Sequence, residues 1–292
     1  MGCENETRLA PVRVSRQTIR MKEVKRLPLK RRKSPRLRTR NAYAPIMPCG
    51  NPRVSVVIPA MNERNTIAAV IANARNVHPD TEVIVVVNGS TDGTEQIARR
   101  MGAIVISFIT ALGHDVGRCI GARHARGGVI LFTDADIVIT TARLKPFIAA
   151  VEAGADIALN SYVGKTSTVN AHSVVVAKHA LNAVLRRPDL TGSSLTTIPH
   201  AVSRRMLEMV GVDMLSVPPL AMAAAIWRGM NVRKAAYVEV GKSNPRRRLN
   251  RKEDPLKRLI IGDHLEAMEW LIDHAGERGG FTDLERKRDR VR

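Results

Sequence analysis

A chain of 292 residues with 44% hydrophobic content is long enough for one large or two small domains, and with only 3% aromatics its core must be Val, Ile, Leu, Ala and Met. The formal charge of +20 is uneven, because residues 1–50 hold 14 Lys or Arg against 3 Glu. No apolar run approaches the roughly 18–20 residues that span a bilayer and no signal-peptide core opens the chain; the odd set Cys3, Cys49 and Cys119 has no metal-site spacing, which argues against a disulfide framework and for the reducing cytoplasm.

Residues 1–51 read as a disordered basic arm: Lys30-Arg31-Arg32-Lys33 precedes Ser34-Pro35, no period of 2 or 3.6 is sustained, and Pro45, Pro48 and Gly50 close the segment. Such an arm is drawn to anionic surfaces, so a peripheral membrane contact is its expected partner beside a plain solvated tail. Tyr43 stands alone in it, without the aromatic interleaving that single-stranded nucleic acid requires, so nucleic acid is not expected.

Order begins at Val54-Ser-Val-Val-Ile-Pro59, whose β-branched run predicts a strand buried on both faces. Asn62 is placed to cap a helix with Ile67, Val70, Ile71 and Ala74 on one face. A strand from Glu82 to Val87 runs into the turn-rich Asn88-Gly-Ser-Thr-Asp-Gly-Thr94, which opens a helix through Ile97 and Met101. A strand from Ala103 to Ser107, a helix near Val116 to Ala125 and a strand from Gly128 to Phe132 complete an alternating β-α series. Alternation of this kind predicts a mainly parallel sheet with helices on both faces and right-handed crossovers.

The last strand delivers Thr133-Asp134-Ala135-Asp136 to its carboxyl end, where open α/β sheets place their ligands. Two carboxylates at i and i+2 repel each other unless a positive group lies between them. A hard divalent cation, Mg²⁺ or Mn²⁺, answers that need and also holds substrate phosphates; two solvated turn carboxylates are the bland alternative. In a parallel sheet the loops Pro59–Glu63, Asn88–Thr94 and Thr133–Asp136 share one edge, and the Gly- and Ser-rich loop offers backbone N–H groups to a phosphate or nucleoside.

Val-Ser-Val-Val-Ile-Pro-Ala-Met-Asn-Glu63, Val-Asn-Gly-Ser-Thr-Asp-Gly-Thr94 and Phe-Thr-Asp-Ala-Asp136, in this order, resemble the family 2 glycosyltransferases of the GT-A fold over residues 54 to about 160. The resemblance implies a Rossmann-like nucleotide-binding half, a UDP- or GDP-sugar donor, and a divalent metal held through Asp134 and Asp136, with Asp136 the more direct ligand. By the same likeness Pro59, Asn62, Glu63, Asn88 and Ser90 line the base and ribose. Many relatives have two Asp residues where this chain has Val87-Asn88. Asn still hydrogen-bonds a base or ribose, without the charge.

Leu112-Gly-His-Asp-Val-Gly-Arg118 resembles the family's Gly-rich segment, with Gly113 and Gly117 allowing close backbone approach and Arg118 or Arg123 reaching the diphosphate as a planar fork. His114 and Asp115 are adjacent, within reach of a donor sugar.

Beyond this half the expected elements are a helix near Leu144 to Ala153, a strand from Asp156 to Asn160, a helix over 168–187, a strand from Leu195 to Pro199, and a helix capped by Ser203. In relatives this second half builds the acceptor site, and an acidic pair supplies the general base. Here Ser216-Val-Pro-Pro-Leu-Ala-Met-Ala stands in that place, leaving Asp213 as the candidate base. Lys242–Lys252 is a basic run suited to a diphosphate or a phosphorylated acceptor, and Pro255 opens a helix containing Gly262-Asp-His264. Some relatives add a distant His to the metal, which makes His264 and His200 candidates.

The expectation is a single GT-A domain over 52–275, with a donor half at 52–160 and an acceptor half at 161–275, followed by a charged tail at 276–292. It would transfer a sugar to an unassigned acceptor: a phosphorylated small molecule, a glycan or a lipid. A nucleotidyltransferase is the second reading, although Ala60-Met-Asn-Glu63 lacks the Gly-rich basic loop such enzymes carry after strand one. A catalytically inactive GT-A-like binder targeted by the basic arm is the third.

Overall fold

The computed structural model describes residues 50–164, 166, 171–241 and 255–291. The basic arm up to residue 49 and the basic run at 242–252 lie outside the described residues. Seven strands form one sheet: β1 Val54–Ala60, β2 Thr81–Asn88, β3 Ile104–Phe108, β4 Val129–Phe132, β5 Ile157–Asn160, β6 His200–Ser203 and β7 Val232–Ala236, in the order β3-β2-β1-β4-β6-β5-β7. β6 pairs antiparallel with both β4 and β5, and every other pairing is parallel. The carboxyl ends of β1 to β5 and β7 therefore emerge along one edge, where β6 begins.

Eight α-helices cover the two faces: α1 Ile67–Arg75, α2 Thr94–Arg100, α3 Val116–His124, α4 Thr141–Glu152, α5 Ser173–Val184, α6 Arg204–Val210, α7 Pro218–Trp227 and α8 Pro255–Ala275. Alternate residues of the central strands divide between two cores, as the two-residue period of a strand requires. Val56, Ile58, Val85 and Leu131 pack with α1, α2 and α4, while Val57, Ile84, Val86 and Phe132 pack with α3 and α5 to α8. Both faces of β1 and β2 are covered, which is why their sequences run apolar without alternation.

Close packing of α3 on β1 is bought by glycine. A Cβ at Gly121 would overlap the Val57 side chain, and one at Gly117 would lie 3.1 Å from Pro59 Cβ. Gly117 thus serves helix-to-strand packing instead of the ligand approach expected for it. Along α3 the contacts pass from Pro59 down to Val57, so the helix descends from the strand-exit edge toward the opposite one.

Several expectations are corrected. Thr66, not Asn62, precedes the first turn of α1. The expected helix over 168–187 is described only as α5, 173–184. No strand forms at 195–199; the pairing segment is β6, whose first residue His200 faces Phe132 of β4 in register. Ser203 does cap α6, accepting from Met206 N at 3.0 Å. α7 and β7 were not expected. Among the described residues no helix is long and apolar enough to cross a membrane.

Candidate active site

The loops leaving β1 and β2 are locked together. Asn62 adopts φ 58°, donates its backbone N–H to Ser90 Oγ at 3.0 Å, and accepts from Thr91 N through Oδ1 at 2.9 Å. Glu63 N donates to Thr94 Oγ1 at 2.8 Å and Arg64 N to Asp92 Oδ2 at 3.0 Å. Asp92 Oδ1 in turn accepts from Thr94 N and Thr94 Oγ1, at 3.0 and 2.6 Å. Burial pushes that carboxylate up, but the Thr94 hydroxyl and the loop N–H groups together more than offset it and hold it below its ordinary pKa. Pro59, Asn62, Glu63 and Ser90 are thereby brought to one rigid lip of the strand-exit edge.

Asn88 serves a different end from the expected one. Its amide Nδ2 donates to the Gly113 carbonyl at 3.1 Å, and Oδ1 accepts from Leu112 N at 2.5 Å. The side chain clamps the loop that leads into α3, and Gly113, at φ 95°, supplies the turn. An amide can make both bonds at once because it carries a donor and an acceptor, which an aspartate in this place could not do.

That clamped loop positions the charges. Asp115, at φ 61° and 8% exposed, pairs with Arg118 one turn later, and Arg118, 5% exposed, reaches from α3 to Asp134 Oδ1 at 2.7 Å. His114 Nε2 lies 3.5 Å from Asp115 Oδ2. Burial, then the nearby Arg118 charge, holds the His114 imidazole below its usual pKa, partly offset by Asp134. One guanidinium is thus shared by two carboxylates at the point where β4 ends. Asp136 follows, half-buried between the buried Ala135 and Ile137.

The donor set fits a hard divalent cation only in part. Asp134 and Asp136 offer oxygen ligands of the kind that Mg²⁺ or Mn²⁺ takes. No group of three or more His, Cys, Asp or Glu side chains suited to a metal occurs among the described residues. Two carboxylates with the remaining positions open is what a cation shared with a diphosphate needs, since such ions commonly bind through one or two carboxylates plus substrate phosphates.

Neither histidine joins them as a third protein ligand. His200 is 2% exposed with its ring 5.1 Å from that of Phe132, and Nδ1 lies 3.1 Å from the Thr197 carbonyl. Burial, followed by the Arg118 charge, brings its pKa down to about 3. His264 is fully buried in α8, where Nδ1 is 2.6 Å from the Ile260 carbonyl. Burial brings its pKa to about 4, with the charge of Lys178 adding to the effect. An imidazole beside an ammonium is poorly placed for a further cation.

Asp213 is not brought to the crevice. Its carboxylate is 78% exposed and paired with Arg123, near the far end of α3 from Arg118. The hydrogen bond from Arg123, then its charge, lowers the Asp213 pKa. Asp213→Asn is accordingly expected to leave turnover within about threefold of the parent, since the carboxylate it removes is exposed, paired with Arg123 and screened by solvent. A steady-state assay reads this directly, and a loss of several orders of magnitude would restore Asp213 as the base.

Comparison with known proteins agrees with this geometry. Residues 55–200 match the family described as glycosyl transferase family 2. The chain is 30% identical over 112 residues to the putative glycosyltransferase CsbB of Bacillus subtilis, covering 35% of this chain and 34% of that protein. It is 35% identical over 96 residues to glucosyl-3-phosphoglycerate synthase of Mycolicibacterium paratuberculosis, covering 29% of each. The chain spans less than half the length of these curated relatives. Among solved structures, glucosyl-3-phosphoglycerate synthase from Mycobacterium tuberculosis, in complex with Mn²⁺, UDP-glucose and phosphoglyceric acid, superposes with a TM-score of 0.53 at 21% identity, covering 80% of this chain and 82% of that one. With the interlocked loops and the aspartate pair inside a match that takes in half its length, the chain belongs to glycosyl transferase family 2 and has the GT-A fold.

Proposed function

We propose that the chain transfers a hexosyl group from a UDP- or GDP-sugar to an acceptor hydroxyl, with Mg²⁺ or Mn²⁺ as cofactor. The observation that carries the reading is the junction of Arg118 with Asp134 at the end of β4, beside the lip built by Asn62 and Ser90. Pro59, Asn62, Glu63 and Ser90 would line the nucleoside, and Asn88 and Gly113 would act through the loop they hold. Asp136, with Asp134 beside it, would hold the cation, which when bound supplies positive charge to the donor diphosphate. Arg118, held by Asp115 and Asp134, would add fixed positive charge beside the same diphosphate as the bond to the anomeric carbon breaks.

The relatives support the donor class: the structure from M. tuberculosis holds UDP-glucose and Mn²⁺. A thermal-shift screen of UDP- and GDP-sugars, with and without Mn²⁺, tests it. At a free ligand concentration of roughly 100 times Kd, stabilisation of about 2.7 kcal/mol is expected, dependent on both partners. No metal-dependent shift with any nucleotide sugar, together with no release of nucleoside diphosphate, would overturn the reading.

A further inference from the structure

Two strands from the aspartates along the same edge lies a second feature that donor binding does not use. Adjacent strands are about 4.8 Å apart, so the exit of β5 is roughly 10 Å from that of β4, with the entry of β6 between them. The β5 exit is held by one buried side chain. Asn160 Nδ2 donates to the Ile198 and Val238 carbonyls at 2.8 and 2.9 Å, while Oδ1 accepts from Tyr162 N and Val238 N, both at 3.0 Å. All of its hydrogen-bonding capacity is spent on fixing the segments around a cavity of about 220 Å³.

Tyr162 and Gly164 from the β5 exit, the first turn of α5 and the first turns of α8 line that cavity, and Lys178 projects to it from α5. The Lys178 ammonium donates to Thr197 Oγ1 at 2.6 Å, and among the described residues no carboxylate pairs with it. Burial alone brings its pKa down to about 8. An ammonium placed in low dielectric without a counter-charge is costly, and proteins ordinarily pair such groups.

Among the described residues, the lining of the cavity adds no negative charge. Lys257 of α8 lines the same cavity, and so does His172, the cap of α5. His264 is close enough for the Lys178 charge to act on it, after burial, in lowering its pKa. Since the Ile260 carbonyl can only accept, His264 Nδ1 carries the proton and its buried Nε2 keeps a lone pair, so this ring adds no charge and is not itself a ligand for an anion. The buried Ser173 Oγ, in the first turn of α5, has no hydrogen-bond partner among the described residues. The first turns of two helices, of 12 and 21 residues, thus lie beside a half-buried lysine whose ammonium reaches the cavity.

We infer that Lys178 is the anchor of an anion-binding subsite between β5, α5 and α8, and that it takes the phosphate or carboxylate of a small acidic acceptor. The assignment to the acceptor rests on the donor reading above, because the nucleoside lip lies the other way along the sheet edge, at β1 and β2. A cavity of 220 Å³ is below the roughly 300–1,000 Å³ of pockets for drug-sized ligands. It suits a short phosphate ester or hydroxy acid.

The test is titration calorimetry of the whole chain with inorganic phosphate and with glycerol phosphate, at constant ionic strength and without metal, for the parent, Lys178→Met and Lys178→Gln. Constant ionic strength and the parent-to-variant difference remove the contribution of the basic arm. Both variants are expected to weaken anion binding by about tenfold or more. Both should keep their thermal stability and their Mn²⁺-dependent shift with the nucleotide sugar, because among the described residues Lys178 hydrogen-bonds only to Thr197, and it lies two strands from the aspartates. Equal phosphate affinity in parent and variants overturns the subsite, as does loss of folding in both, which would make Lys178 structural. A lost donor shift in all three proteins with the phosphate difference intact would sink the donor reading and leave the anion subsite standing. Vesicles containing phosphatidic acid should not compete with glycerol phosphate; if they do, the small-acid assignment fails in favour of a lipid phosphate.

Discussion

Replacing Asp136 with Asn is expected to abolish Mn²⁺-dependent donor binding and to cut turnover by roughly 10² to 10³ or more, with the fold intact. The substitution keeps shape and removes charge. Ala135 and Ile137, 2% and 5% exposed, anchor the loop on either side of it. Asp134 alone leaves the cation one carboxylate short, and its charge is shared with Arg118 at 2.7 Å. Unfolding without ligand should therefore coincide for parent and variant, while the shift produced by UDP-sugar and Mn²⁺ is lost. Unchanged donor affinity in the variant would remove the metal from the mechanism.

The same aspartates show what a sequence exposes. β1, β2 and β4 are short runs of branched apolar residues ended by polar turns, and a strand buried on both faces can hardly read otherwise. Parallel pairing then sends their exits to one edge, which is why the shared edge of the loops carrying Asn62, Ser90 and Asp134 was legible in the sequence. Register and handedness follow from general rules, so three strands suffice to place the crevice.

The second half hid itself for physical reasons. In α7 the run from Ala221 to Ala225 is buried on every side, so no amphipathic period marks a helix that also opens on Pro218-Pro219. β6 begins on a buried histidine, and the Leu-Thr-Thr-Ile-Pro stretch before it, 195–199, with its β-branched residues, is the segment that the pattern favours. β7 lies at the sheet edge and reads Val-Arg-Lys-Ala-Ala, too polar to announce a strand. Asp213 misled because order along the chain does not say which end of α3 a residue meets. Lys178 was invisible for the opposite reason: its cavity is assembled from β5, α5 and α8, far apart in sequence.

Arg118→Met is expected to fail twice, in stability and in catalysis, and the two failures can be separated. Asp115, with its side chain 4% exposed, would keep its charge and lose the guanidinium that faces it. Breaking a buried pair from one side costs about 3–5 kcal/mol. For a domain of roughly 150–250 residues that is a fall in Tm on the order of 6–20 °C. Asp115→Asn in the same chain removes the stranded charge, and Asn tolerates the left-handed backbone at φ 61° better than most residues do. The double variant should therefore regain much of the lost Tm. It should not regain turnover, because nothing then replaces the fork beside the departing diphosphate, and Asp134 loses the partner that orients it. Recovery of turnover along with Tm would make Arg118 a structural counter-ion to Asp115, and the leaving-group role would have to pass to another cation.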